Sequence, residues 1–257
     1  MLMDRDMEWK KWLYDRKSML READTDWNRW LLGKPYQPFD PHVYLEFRLY
    51  RKFSSGIFDQ WLSHGSDLVH LWTDETYPTS VVANGGIFTW PDGRENPDTV
   101  VTAITYPKGF LYTYKTIFGN SYRSFSRIQG RDGTIENYGG EGASLFVVTD
   151  EGGRKEYDPG SAGVVYTQVP LTTPAGYTAE VVRVPGAEPP NSNGPDDDDA
   201  SHVLNWLYAM RDRTQPNSTV DNGFSHSIVC IMATKSYWSG KKQYWNQKTE
   251  EIVDDPV

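Results

Sequence analysis

Thr99-Val100-Val101-Thr102-Ala103-Ile104-Thr105-Tyr106, then Pro107-Lys108-Gly109, then Phe110-Leu111-Tyr112-Thr113-Tyr114-Lys115-Thr116-Ile117-Phe118 read as two strands joined by a short turn. Both runs are rich in β-branched and aromatic residues, and Pro-Lys-Gly is turn chemistry. Upstream, Ser80-Val81-Val82-Ala83 reads as another strand, bounded by the turn signals Asn84-Gly85-Gly86 and Pro91-Asp92-Gly93. Downstream, strands are expected around 121–129, 133–138, 144–149 and 163–168, with a last one at Gln243-Tyr244-Trp245-Asn246. Consecutive strands with short connections pair antiparallel, whereas parallel pairing needs long crossovers. The expected fold is therefore α+β: an open, mostly antiparallel or mixed sheet of five or more strands, with helices packed on one face.

The helices lie at either end of the strand region. Residues 4–22 are rich in helix formers, and a short helix is expected from Asp24 or Thr25 to Gly33. Pro35, Pro38 and Pro41 then impose an irregular extended segment. Phe58, Trp61, Leu62, Leu68, Val69 and Trp72 recur at helical spacing and predict an amphipathic helix over about 57–72. Further helices are expected at 201–213 and 222–238. The chain is read as one domain over 1–257, with a helical segment 1–34 and an acidic linker 185–200 that ends in Asp196-Asp197-Asp198-Asp199.

Composition narrows the classes of function. With 35 Asp+Glu against 26 Lys+Arg, the chain lacks the clustered positive charge that a nucleic-acid partner requires. Cys230 is the only cysteine, so no internal disulfide framework exists and a reducing, cytoplasmic location is expected. No apolar run approaches the ~20 residues that span a bilayer, so no membrane partner is expected. The 10 Trp and 16 Tyr suit sheet surfaces, interfaces and carbohydrate sites alike.

Ser54-Ser55-Gly56-Ile57-Phe58-Asp59-Gln60-Trp61-Leu62-Ser63-His64-Gly65-Ser66-Asp67 resembles the segment of the Gfo/Idh/MocA oxidoreductases in which a Gly-rich turn leads into a helix carrying Asp-x-Gly-x-His-x-x-Asp. The likeness continues through Pro78-Thr79-Ser80, Glu95-Asn96-Pro97-Asp98-Thr99 and Tyr106-Pro107-Lys108-Gly109-Phe110. It resumes at His202-Val203-Leu204-Asn205-Trp206-Leu207 and at Gly240-Lys241-Lys242, so it covers nearly all of 24–252. The resemblance implies the C-terminal domain of an NAD- or NADP-dependent sugar-type oxidoreductase. It also implies a homo-oligomer paired through the open sheet face, a role offered to the aromatic run 110–118. The family's other half would carry a Gly-rich phosphate turn and a Glu-Lys-Pro motif. Gly140-Glu141-Gly142 lacks the third glycine and no Glu-Lys-Pro occurs, so this chain alone is expected to bind no cofactor and to work with a nucleotide-binding partner chain.

The resemblance places His64 as the catalytic base and Asp67 at the end of the His-x-x-Asp spacing. Taking a hydroxyl proton during hydride transfer suits an imidazole, whose pKa lies near neutrality. On a regular helix Gln60, His64 and Asp67 share one stripe. Counted back from His64, the family's aspartate position holds Gln60, and Asp59 is displaced by one residue, about 100° around the helix. Gln60, Arg48 and Tyr50 are candidate substrate contacts; Arg48, Tyr50 and Arg51, just before the Ser-Ser-Gly turn, fit the rim of a sheet edge slightly better. His64 also reads as a structural histidine between Trp61 and Leu68, and His70 as structural or exposed. A metal site from His64, Asp67 and His70 is not expected, because the two histidines project about 120° apart on a regular helix. The alternative function is a stand-alone, cofactor-free carbohydrate-binding protein or glycoside-cleaving enzyme using Asp59, His64 and Asp67, with Glu95 and Asp98 as further carboxylates.

Overall fold

The computed structural model describes residues 19–119, 127–130, 134–137, 146–149, 165–172, 178–183 and 198–256. The expected helix 4–22, most of the linker 185–200 and the Gly140–Gly142 turn lie outside the described residues. Two compact units emerge, Met1–Ser121 with Ser218–Val257, and Tyr122–Asn217.

In the first unit, β1 (Ser80–Gly86), β2 (Thr99–Thr105), β3 (Leu111–Ile117), β9 (Gln243–Asn246) and β10 (Glu251–Val253) form one sheet in the order β10-β9-β1-β2-β3. Every pairing is antiparallel. Asn84-Gly85-Gly86, read as a turn, instead extends β1, because these residues pair with Val101, Val100 and Thr99. The three-residue β10 has no strand signal of its own and exists through its pairing with β9.

Alternation sorts the two faces of this sheet. Val81, Ala83, Val100 and Ile104 point inward, while Val82, Val101, Leu111 and Ile117 are exposed on the open face. The inner face is covered by α5 (Val220–Ser239) and by a π-helical turn, Phe58–Leu62, that runs into α3 (Ser63–Thr73). Phe58, Leu62, Ile228, Val229 and Met232 meet the inward strand residues in one core cluster. Each such side chain, fully buried, contributes roughly 1.5–3 kcal/mol. The Ser236 hydroxyl accepts the Ala83 N–H at 2.9 Å and locks α5 to β1. Helices on one face of an open antiparallel sheet are the expected α+β arrangement.

The aromatic run of β3 divides between the faces. Tyr112, Tyr114 and Phe118 pack against the core, leaving Leu111, Thr113, Lys115 and Ile117 for the open face. These aromatics thus lie on the helix-covered face of the sheet. Gly65 permits this contact, since a Cβ there would collide with the Tyr112 hydroxyl. Gly65→Ala is expected to destabilise by about 1–3 kcal/mol from overpacking, partly offset by roughly 1 kcal/mol of helix propensity. Denaturant unfolding measures it, and an unchanged midpoint would argue against so close an approach.

Capping sets the helix ends. α1 (Trp27–Trp30) starts at Asp26, which accepts the Arg29 N–H, two residues later than Asp24. Leu32 and Gly33 end it with φ of 53° and 77°. Asp40 caps α2 (Pro41–Leu45) through His42 and Val43 N–H, so Pro41 opens a helix where an extended segment was expected. Thr219 caps α5 through the Asn222 N–H.

The second unit carries β4 (Arg127–Gln129), β5 (Thr134–Asn137), β6 (Phe146–Thr149), β7 (Val165–Thr172) and β8 (Thr178–Arg183) as a separate antiparallel sheet, ordered β4-β5-β6-β8-β7. The expected strands are therefore shared between two sheets, and β8 adds one that the pattern did not flag. α4 (Asp198–Asp212) follows, starting inside the expected acidic linker. Among the described residues no helix is long and apolar enough to cross a membrane.

Candidate functional site

The segment leading into the π-helical turn is held by its own side chains. Asp59 accepts the Ser55 N–H at 3.0 Å and the Ser54 hydroxyl at 3.3 Å. Gly56 has a φ of 66°, and a Cβ there would lie 2.8 Å from Asn96 Cβ, so the backbone passes directly against that side chain. A π-turn takes up one residue more than an α-turn. Asp59, five residues before His64, is thereby rotated back toward the angular place that a regular helix gives the residue four before. The 100° displacement expected for a regular helix does not apply, because the helix is not regular here.

Beside this turn lies a cavity of about 380 Å³, with Arg48, Ile57, Gln60, Arg94, Asn96 and Phe118 among its walls. Asn96 is 2% exposed. Its Nδ2 donates to the carbonyls of Arg48 at 2.8 Å and Ser54 at 2.9 Å. Two acceptors fix the orientation of the amide, and the remaining Oδ1 is buried without a partner. Gln60 Nε2 is likewise buried and unpartnered. The Arg94 guanidinium is committed to Asp92 at 2.8 and 2.7 Å, while that of Arg48 lies over the Phe47 ring at 4.5 Å.

The sequence candidates therefore separate. Gln60 and Arg48 meet at one cavity, and Arg48 sits in a 3₁₀ turn, Phe47–Leu49, not on a sheet edge. His64 is exposed further along the helix. Trp61 bridges the two places, its ring 6.2 Å from Phe118 and 6.4 Å from His64. Asp67 faces His226 of α5 at 3.4 Å. Tyr50 is half-buried against the His42 ring, outside the cavity. Burial, and then the nearby Asp40 and Glu46, push its phenol up.

The remaining polar residues are structural. His70 is buried, its Nε2 2.9 Å from the Tyr106 hydroxyl and its Nδ1 3.3 Å from the Ser225 hydroxyl. Glu95 accepts the Arg51 N–H at 2.8 Å. Asp98 is fully buried and accepts the N–H groups of Phe88, Thr89 and Trp90. The Asp98 carboxylate is therefore committed to the backbone, while Glu95 uses one oxygen on the Arg51 N–H. Sequence reasoning missed Asn96, Phe118 and His226 as site residues. The Glu95–Thr99 motif pointed to the neighbourhood of Asn96, but no local pattern marks His226.

Among the described residues no three His, Cys, Asp or Glu side chains are grouped to hold a metal ion. None of the described helices follows directly from a strand through a Gly-rich turn, and every described strand pairing is antiparallel. The described elements thus offer no strand, Gly-rich turn and helix unit of the kind that cradles a dinucleotide pyrophosphate.

A family model described as "Oxidoreductase family, C-terminal alpha/beta domain" matches residues 26–244. No curated protein matches the chain. Among solved structures, an NAD-binding protein from Listeria innocua is similar at 15% identity and a TM-score of 0.54, covering 77% of this chain and 54% of that one. The aldose-aldose oxidoreductase from Caulobacter crescentus, complexed with glycerol, matches at 13% identity and 0.51, covering 77% and 50%. A levoglucosan dehydrogenase in complex with NADH matches at 16% identity and 0.52, covering 82% and 53%. The chain spans about half the length of these structures.

Proposed function

This chain belongs to the C-terminal domain family of the Gfo/Idh/MocA oxidoreductases, and from that premise we propose that it is the substrate-binding and subunit-pairing half of a sugar-type oxidoreductase. NAD or NADP is then held outside these 257 residues, on a nucleotide-binding partner. The observation that carries the reading is a pair of residues walling one cavity, Gln60 and Asn96, each with a buried and unpartnered amide atom, Nε2 and Oδ1. A donor and an acceptor without protein partners are costly unless a ligand meets them, and the hydroxyls of a polyol supply both functions.

In this reading Gln60, Asn96 and Arg48 bind hydroxyls, and the exposed ring of Trp61 carries the sugar toward His64. His64 takes the hydroxyl proton, and Asp67 with His226 borders that position. The exposed face of Trp61, Leu68, Leu71 and Trp72 suits docking of the nucleotide-binding partner, and Val82, Val101, Leu111 and Ile117 suit pairing of two copies across the open sheet. The glycoside-cleaving alternative has less support, since Asp59 is occupied by the Ser54-Ser55 turn and Asp67 by His226.

Calorimetric titration with neutral sugars and polyols tests the cavity. Wild type is expected to bind one of them, and Gln60→Leu to weaken that binding about tenfold, the effect of one lost hydrogen bond. Equal binding by the variant would remove the cavity from the proposal. Tight binding of a nicotinamide nucleotide by this chain alone would contradict the division of labour.

A further inference from the structure

A second cavity in the first unit, about 400 Å³, has Arg51, Ser55, Lys235, Trp238, Gln243 and Asp254 among its walls. Its charge is unlike that of the chain, whose net charge is −9. The Arg51 guanidinium lies 4.3 Å over the Trp238 ring, and no carboxylate pairs with it among the described residues. Among the described residues Lys235 Nζ donates to the Ile252 carbonyl at 3.5 Å, and its charge helps to hold the Asp254 carboxyl below its ordinary value. The acid on this wall, Asp254, is already neutralised by Lys241 at 2.7 Å and accepts Gln243 Nε2 at 3.1 Å. Arg51 therefore borders the cavity without a carboxylate partner among the described residues, and Lys235 shares Asp254 with Lys241.

Gln243 supplies the second observation. It is 1% exposed, and its Nε2 faces Asp254 Oδ1 and the Lys242 carbonyl. Those acceptors fix the orientation of the amide, so Oε1 is the atom left buried without a partner. An orphaned acceptor requires a donor. An anion alone cannot provide one, whereas an anion bearing a hydroxyl can.

We propose that this cavity is a second ligand site, taking a small hydroxylated acid whose anionic group is held by Arg51 and Lys235 and whose hydroxyl donates to Gln243 Oε1. The Trp238 ring, fixed beneath Arg51, supports the carbon skeleton. Carboxylate and phosphate share the required chemistry, because a guanidinium forks onto either and an ammonium pairs with either as a point charge. The site is separate from the first cavity and does not depend on the oxidoreductase reading.

Calorimetric titration of the full chain with gluconate, glucose 6-phosphate and glucose at fixed ionic strength tests the proposal. At least one acid is expected to bind, gluconate marking a carboxylate site and glucose 6-phosphate a phosphate site, while glucose does not compete. Arg51→Met and Lys235→Met alter exposed side chains and are each expected to weaken acid binding about tenfold, with melting curves confirming that the fold is retained. Gln243→Leu is expected to bring gluconate down to the weak binding of acetate. No binding of either acid by wild type, unchanged binding by both cation variants, or equal competition by glucose would each overturn the proposal. Gln60→Leu separates the two cavities. It is expected to leave acid binding unchanged, and loss of acid binding in that variant but not in Arg51→Met would move the acid to the first cavity and overturn the second site.

Discussion

Asp98→Ala is expected to cost the fold about 3–5 kcal/mol, because it strips three N–H groups and a hydroxyl of their shared, fully buried acceptor at once. The carboxylate takes the N–H of Thr89 at 2.8 Å, those of Phe88 and Trp90 at 3.1 Å, and the Thr99 hydroxyl at 2.9 Å. Its own backbone joins Gly86 and Phe118, so the residue ties the β1–β2 connection to the end of β3. Burial alone would raise the carboxyl pKa, but the N–H groups of Thr89, Phe88 and Trp90 outweigh it and hold the carboxyl below its ordinary value. The sign follows from linkage. The stabilisation is complete above the ordinary carboxylate range and is lost as pH falls through the lower folded value. Denaturant titration of Asp98→Ala and Asp98→Asn measures the effect. A loss under 1 kcal/mol in the alanine variant would mean that solvent can replace the carboxylate. The Phe118 side chain and Asn96 flank the first cavity, so sugar binding should weaken in parallel.

The second large effect is a dependence on pH with one identifiable source. Burial, partly offset by Asp67, lowers the pKa of His70 from 6.5 to about 4. The unfolded chain therefore takes up a proton that the folded chain refuses. Stability is full above about pH 6.5 and falls until about pH 4, by an amount on the order of 3 kcal/mol. His70→Gln keeps a group able to reach Tyr106 and Ser225 but has no proton to take up. Stability of the two proteins measured across this interval should converge as pH falls. If wild type keeps its steepness in the variant, another group is responsible. The Asp98 contribution is lost at lower pH, so the two effects separate on one titration axis.

Much of this molecule was legible in local pattern. The hairpin Thr99–Ile117, the helix near 57–73 and the helix 220–239 follow from periodicity and turn chemistry, which each segment carries by itself. The His-x-x-Asp spacing drew notice to the helix that follows the π-turn, and Gln60 and Arg48 are both among the walls of the cavity beside that turn. What the pattern did not give depends on neighbours distant in sequence. The extra residue in Phe58–Leu62 reads as a misplaced aspartate until a π-turn absorbs it. Asn96 looks like any loop asparagine until two carbonyls from 48 and 54 claim its nitrogen. His64 and His70 are both histidines on one helix, but only packing exposes the first and buries the second.

The sequence by itself determined most of the element types and the antiparallel order of strands adjacent in the chain, because alternation, capping and short connections act over a few residues. Tertiary structure alone decided the division into two sheets, the pairing of Asp67 with His226 across 159 positions, and the three amides left with an unpartnered atom, Gln60 and Asn96 at the first cavity and Gln243 at the second. The physical reason is range. A strand or a helix is encoded within one segment, whereas a cavity and its unmet hydrogen bonds exist only where segments far apart in the chain converge and exclude water.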